Sequence, residues 1–118
     1  MAQTLALVAL VVADYDDAFR FYVDKLHFTP VEDTPLTDTK RWVRVAPPGA
    51  LPGTCQLLLA QAAADEQRSR IGSQTGERVF LFLNTDDFWS DFHRLTMNGV
   101  QFVREPVVQP YGTVAAFD

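Results

Sequence analysis

The sequence predicts an α+β fold built from two copies of one β-α-β-β(-β) unit. The stretch from Val79 to Glu105 has the pattern of a strand, a helix and a second strand, and the stretch from Leu5 to Glu32 shows the same order. Superposing Phe19 on Phe92 gives a repeat offset of roughly 73 residues, far longer than the periods of about 20 to 50 residues that solenoids show. We therefore expect a duplicated module rather than a repeat array.

The length and composition favour one globular domain. The 118 residues are 47% hydrophobic, 12% aromatic and 21% charged, which is enough for a modest core but too short for two ordinary domains. Within this single domain we place one module at about 4–61, a linker at about 62–77 and the second module at about 78–118. The apolar start at 5–13 is predicted to be a strand rather than a signal peptide, because no basic residue precedes it and an aspartate-rich segment follows.

Charge and cysteine content exclude several classes of function. A formal charge of −5 argues against nucleic-acid binding, which usually needs a basic stripe. No apolar run is long enough to span a membrane. Cys55 is the only cysteine, so the sequence predicts no internal disulfide, no thiolate metal cluster and a reducing, cytoplasmic location.

The first module begins with a strand at 5–12, which an N-capping aspartate, Asp14, follows. Tyr15, Phe19 and further apolar residues at helical spacing then predict a helix that ends near His27. Pro30 makes the next strand an edge or irregular strand.

Two alternating strands complete the first module. In Arg41–Ala46, Val43 and Val45 point one way, and Trp42 and Arg44 point the other. In the strand at 54–60, Gln56 lies on the face opposite Leu57 and Leu59.

The second module repeats the order. We predict a strand at Val79–Asn84, a helix capped by Thr85 or Asp86, and an end to that helix at Asn98-Gly99. A strand at 101–104, a turn or short extended piece at 106–110 and a final strand at 111–117 follow.

The ordered set of motifs resembles the vicinal oxygen chelate superfamily, which includes glyoxalase I, the bleomycin-resistance proteins and the extradiol dioxygenases. The first half carries VALVVADYDDAFRFYVDKLHFTPVED, with Asp14 closing the strand, and RWV followed by APPG. The second half carries FLFLNTDDFWSDFHRLTMNGVQFVREP and YGTVAAFD. No single motif is specific, but the set covers nearly the whole chain.

This resemblance implies a glyoxalase/bleomycin resistance fold, in which two β-α-β-β-β modules form curved mixed sheets around a cavity. Members commonly complete two such half-barrels across a homodimer. The cavity-facing positions, which the resemblance implies as ligand-binding residues, are Leu7, Trp42, Arg44, Gln56, Phe80, Phe82 and Phe117. The resemblance also implies an eighth strand, which we expect to lie beyond Asp118, where the sequence ends.

The same resemblance indicates which positions would hold a metal ion. Metal-dependent members hold a divalent ion with His, Glu or Gln side chains. Two of those positions fall on Leu7 and Phe80, and a third falls on Gln56 or beside it. Hydrocarbon cannot replace an oxygen or nitrogen donor. We therefore predict no metal ligands and no cofactor.

Three functions stay open at this level. The leading hypothesis is metal-free binding of a small organic ligand in an aromatic-lined cavity, as in the drug-sequestering members. The alternative is a lyase/isomerase or dioxygenase whose metal site is completed by residues beyond Asp118 or by a partner subunit, and the third is an interaction module with a collapsed cavity. Arg44 would either clamp a carboxylate or form a salt bridge to a neighbouring acid.

Overall fold

The chain divides into two structural units. The computed structural model describes residues 1–76 and 78–117, and its units are Met1–Phe80 and Leu81–Asp118. The secondary structure is mixed α+β, as the sequence predicts. In the described residues, no helix is long and apolar enough to cross a membrane.

The first unit is a four-stranded sheet with helices. The strands are β1 (Leu7–Val12), β2 (Thr29–Pro35), β3 (Arg41–Ala46) and β4 (Gln56–Gln61), and helix α1 (Tyr15–Arg20) follows β1. Their order in the sheet is β1-β4-β3-β2. The strands β1 and β4 run parallel, whereas β4, β3 and β2 pair antiparallel. This is the predicted β-α-β-β-β order for the first module.

One face of this sheet is the core of the unit. Val43, Val45 and Leu59 are 0%, 0% and 1% exposed, and α1 contacts β3 and β4. Strand alternation requires that their neighbours in sequence face the other way. The predicted division of β3 and β4 into two faces is therefore confirmed.

Asp14 caps helix α1, as predicted. Its carboxylate accepts a hydrogen bond from the Asp17 amide at 2.9 Å, which satisfies one of the free donors at the helix start. The helix continues as a π-helical turn, Phe21–Lys25. The chain then leaves the helix through His27, whose φ of 60° is left-handed, a conformation that glycine usually adopts at helix ends.

The segment after β4 contains a short helix and a side chain that hydrogen-bonds to the edge of β1. Helix α2 (Asp65–Arg68) lies within the stretch interpreted from the sequence as a linker. Further along, the Gln74 side-chain amide donates to the Ala9 carbonyl and accepts from the Val11 amide, both at 2.8 Å. This side chain therefore takes the place of a neighbouring strand at the outer edge of β1.

The second unit contains helix α3 (Phe88–Met97) and the antiparallel hairpin of β5 (Phe102–Gln109) and β6 (Gly112–Phe117). Gly99, with φ 90°, follows the end of α3 as predicted. The prediction that Thr85 or Asp86 caps α3 was wrong, because Asp87 is the cap and accepts from the Ser90 amide at 3.2 Å.

One strand prediction in the second module was also wrong. No strand forms at Val79–Asn84, because an apolar run favours a strand but a strand also needs a hydrogen-bonded neighbour. Strand β5 continues through Pro106 to Gln109, so that the segment predicted as a turn or short extended piece is extended and belongs to the strand. The register of the hairpin shifts between Arg104 and Val107, and such a bulge accommodates a proline that cannot donate a ladder hydrogen bond.

Candidate functional site

A concavity of about 350 Å³ lies on the face of the four-stranded sheet opposite the core. It is lined by Thr4, Ala6, Leu7, Glu32, Trp42, Arg44, Gly53, Thr54 and Gln56. Its volume falls within the range of small-molecule sites, about 300 to 1,000 Å³. All of these residues belong to the first unit.

Strand register brings the lining side chains together. Leu7 on β1 lies opposite Gln56 on β4, and Glu32 on β2 lies opposite Arg44 on β3. Residues at paired positions share a face of the sheet. Residues of β3 and β4 that face the core alternate with residues that face the other way. Trp42 is one of the latter and therefore faces the concavity.

Arg44 is the centre of a polar network at this surface. Its Nε and Nη2 donate to Glu32 Oε1 at 3.1 and 2.9 Å, and its Nη1 donates to Gln56 Oε1 at 2.6 Å. All three guanidinium nitrogens therefore already have a protein partner. Of the two roles considered for Arg44, the structure shows the salt bridge to a neighbouring acid.

Glu32 is held ionised by its neighbours. The Thr34 hydroxyl donates to Glu32 Oε2 at 2.8 Å, and this hydrogen bond, followed by those from Arg44, lowers the pKa of the carboxyl group. The carboxylate therefore balances the charge of Arg44 at neutral pH.

Gln56 has a fixed orientation within the network. Because a guanidinium only donates, the Gln56 oxygen must face Arg44. The amide nitrogen of Gln56 is then the group that this side chain can offer to a ligand as a donor.

The structure brings together four of the seven sequence-predicted site residues, namely Leu7, Trp42, Arg44 and Gln56. Phe80, the last residue of the first unit, is not among the residues lining this concavity. Phe82 and Phe117 belong to the second unit. Phe82 is 86% exposed, and the Phe117 ring packs on Phe102 within that unit, with centroids 5.4 Å apart.

Glu32 lines the concavity but was not among the site residues predicted from the sequence. Its strand was recognised as an edge strand, but its alignment with Arg44 depends on a register shift between Pro30 and Glu32. The signal in the sequence was an acidic residue on one predicted strand and a basic residue on the neighbouring strand. Because of the bulge, the sequence alone does not show which acidic residue lies opposite Arg44.

The donor set does not fit a metal ion. In the residues that the structure describes, no group of three or more His, Cys, Asp or Glu side chains is placed to hold one. Leu7 offers only hydrocarbon, and the Gln56 oxygen already lies 2.6 Å from a guanidinium nitrogen. A cation at that oxygen would face a fixed positive charge.

The class of protein follows from the fold and from a comparison with known families. A family model for the Glyoxalase/Bleomycin resistance protein/Dioxygenase superfamily matches residues 4–118, and the chain belongs to this superfamily. The resemblance seen in the sequence, and the fold class that it implied, are therefore confirmed.

Particular relatives make the comparison more specific. An uncharacterised protein of Shewanella frigidimarina is 54% identical over 119 residues, covering 100% of this chain and 87% of the relative. The crystal structure of UcmS2 is 29% identical with a TM-score of 0.81, covering 99% of this chain and 90% of that one. The structure of TnmS3, described as an antibiotic binding protein from Streptomyces sp. CB03234, is 30% identical with a TM-score of 0.76, covering 100% of this chain and 87% of that one.

Proposed function

We propose that this protein binds a small organic molecule, without a metal ion, in the concavity on the open face of the four-stranded sheet. The observation that carries the proposal is the meeting of an indole, Trp42, with the Arg44–Gln56 network around a volume of about 350 Å³. Small-molecule sites typically combine such apolar walls with a few fixed polar groups.

Each lining group has a separate task. Trp42 offers a face on which a planar ring can stack, and Leu7 and Ala6 add apolar wall on the side of β1. Gln56 offers an amide N–H to an acceptor on the ligand. The description of TnmS3 as an antibiotic binding protein supports this kind of function.

The test uses the two tryptophans of the chain as a matched pair. N-phenyl-1-naphthylamine is an uncharged planar probe whose fluorescence rises in apolar sites. We expect Trp42→Ala to weaken its binding by about tenfold or more, since losing a stacked ring costs on the order of 1.5 kcal/mol. Trp89→Ala, on α3 in the second unit, is the control and should leave binding unchanged.

Calorimetry with divalent ions addresses the rival function, a metal-dependent lyase/isomerase or dioxygenase. We expect no stoichiometric binding of Ni²⁺, Zn²⁺ or Fe²⁺ in the micromolar range. Tight binding of any of these ions, together with equal probe affinity of the two tryptophan variants, would contradict the proposal.

Three further points belong to the proposal. The chain is organised as one domain of two related modules, it forms a homodimer, and it works in the cytoplasm. Exposed apolar side chains on β5 and β6, such as Val108 at 78%, support an assembly, and the single cysteine supports a reducing location. Light scattering coupled to size-exclusion chromatography should give twice the chain mass; a monomer at all concentrations would contradict the dimer.

A further inference from the structure

Three of the five N–H donors of the Arg44 guanidinium are used within the protein. Nε and Nη2 donate to Glu32, and Nη1 donates to Gln56, at distances of 2.6 to 3.1 Å. An anionic ligand would therefore meet a guanidinium whose charge is already balanced by a carboxylate that the fold itself supplies.

That carboxylate is held in place by the sheet. Glu32 lies directly opposite Arg44 in the β2–β3 register, and Thr34 lies opposite Trp42. The Thr34 hydroxyl donates to the second Glu32 oxygen at 2.8 Å. With both oxygens engaged by neighbouring side chains, Glu32 has little to gain by moving aside.

The electrostatic consequence is a site with no net charge. Glu32 and Arg44 both line the concavity and are only 35% and 27% exposed, so solvent screens the pair incompletely. The chain as a whole carries a formal charge of −5, which adds nothing to attract an anion.

We propose that Glu32 determines specificity by neutralising Arg44, so that the concavity accepts uncharged planar ligands and rejects those that carry a carboxylate, sulfonate or phosphate. The inference rests on the proposed function and names its ligand class. The arginine that suggests an anion site in the sequence is, in this arrangement, a hydrogen-bonding scaffold that orients Gln56.

A matched pair of probes tests this selectivity. N-phenyl-1-naphthylamine and 8-anilinonaphthalene-1-sulfonate share one aryl skeleton and differ by a sulfonate. We expect the wild-type protein to bind the uncharged probe about tenfold more tightly or better, measured by fluorescence titration at low and at high salt.

Removing the Glu32 charge should largely abolish the preference for the uncharged probe. Glu32→Gln keeps the side-chain shape and should tighten sulfonate binding by about tenfold relative to binding of the uncharged probe, the order of one charge-assisted hydrogen bond. Glu66→Gln, on exposed α2, changes the net charge equally and should change neither affinity. Glu32→Thr, which suits a strand, provides a second neutral variant whose melting curve verifies folding.

A double variant identifies the route of the effect. If the gain acts through the freed guanidinium, Glu32→Gln combined with Arg44→Gln should lose it. Equal wild-type affinity for the two probes, or a Glu32→Gln gain matched by Glu66→Gln, would overturn the inference and leave the proposed function standing. Absence of any probe binding that depends on Trp42 would contradict the proposed function itself, and the inference with it.

Discussion

Arg41 connects helix α1 to the β2–β3 hairpin that carries the concavity, and its replacement gives a measurable prediction. Its Nε and Nη2 donate to the two carboxylate oxygens of Asp33 at 3.1 and 2.6 Å, and its Nη1 donates to Asp16 at 2.9 Å. The guanidinium also lies 5.1 Å from the centroid of the Tyr15 ring. We expect Arg41→Met, which keeps the aliphatic stem, to remove all of these interactions.

The magnitude follows from exposure. The Arg41 side chain is 26% exposed, but Asp33 and Asp16 are 40% and 63% exposed, so the ion pairs must be discounted for solvent screening. We assign about 1 kcal/mol to the bidentate pair with Asp33, and about 0.5 kcal/mol to the pair with Asp16 and the ring contact together. A loss of about 1.5 kcal/mol corresponds to a fall in Tm of roughly 5 to 9 °C for a chain of this size.

The assay is thermal unfolding followed by circular dichroism, with an exposed ion pair as control. Arg20 pairs with Asp17 within one helical turn, and the two side chains are 63% and 74% exposed. Arg20→Met should change Tm by no more than about 2 °C. If Arg41→Met shifts Tm as little as Arg20→Met does, the account of Arg41 as the connection between α1 and the hairpin is refuted.

Three other stability predictions follow. Asp14→Ala should cost about 1 kcal/mol in urea unfolding, because it removes the cap of α1; a cost near zero would show that the cap hydrogen bond contributes nothing. Gln74→Ala removes two hydrogen bonds to the β1 edge and should cost about 1 to 2 kcal/mol and speed hydrogen exchange at the Val11 amide; unchanged exchange would refute the edge contact. The pKa values of Glu32 and Asp33 are lowered, the first chiefly by the Thr34 hydroxyl and the second chiefly by Arg41. Their contribution to stability is therefore complete above the unfolded pKa of about 4 and is lost as pH falls through the lower folded values. Asp33→Asn should make the free energy of unfolding fall less steeply with decreasing pH in this range. The same dependence on pH in the variant and the wild type would contradict the assignment.

Local signals in the sequence located the parts of the first unit that depend on near neighbours. An aspartate after a strand predicted the cap at Asp14, because capping needs only the three residues that follow. Alternation predicted that Trp42 and Arg44 face away from Val43 and Val45, because the two-residue period is a property of any strand.

Pairing between distant segments was beyond the same signals. The meeting of Glu32 with Arg44 depends on the bulge near Pro30, and a register shift of one residue would have turned a different side chain to the concavity. The apolar run at Val79–Asn84 predicted a strand, but such a run cannot supply the hydrogen-bonded neighbour that a strand requires.

The cap of α3 shows a similar limit at short range. Thr85, Asp86 and Asp87 are all good capping residues, and sequence alone does not rank them. In the structure, the Thr85 hydroxyl accepts from the Asp87 amide at 3.1 Å and donates to the Asp91 carboxylate. Thr85 thus supports the turn before the helix, and Asp87 becomes the cap.

The central claim is that a small uncharged organic molecule binds beside Trp42, without a metal ion. The most direct measurement is a ¹H–¹⁵N correlation spectrum of the protein in EDTA, titrated with N-phenyl-1-naphthylamine, in which Trp89→Phe assigns the two indole N–H resonances. The account predicts a saturable shift of the Trp42 indole and of the Gln56 side-chain amide, with the Trp89 indole unmoved. A shift confined to Trp89, or no saturable shift at either indole, would contradict it.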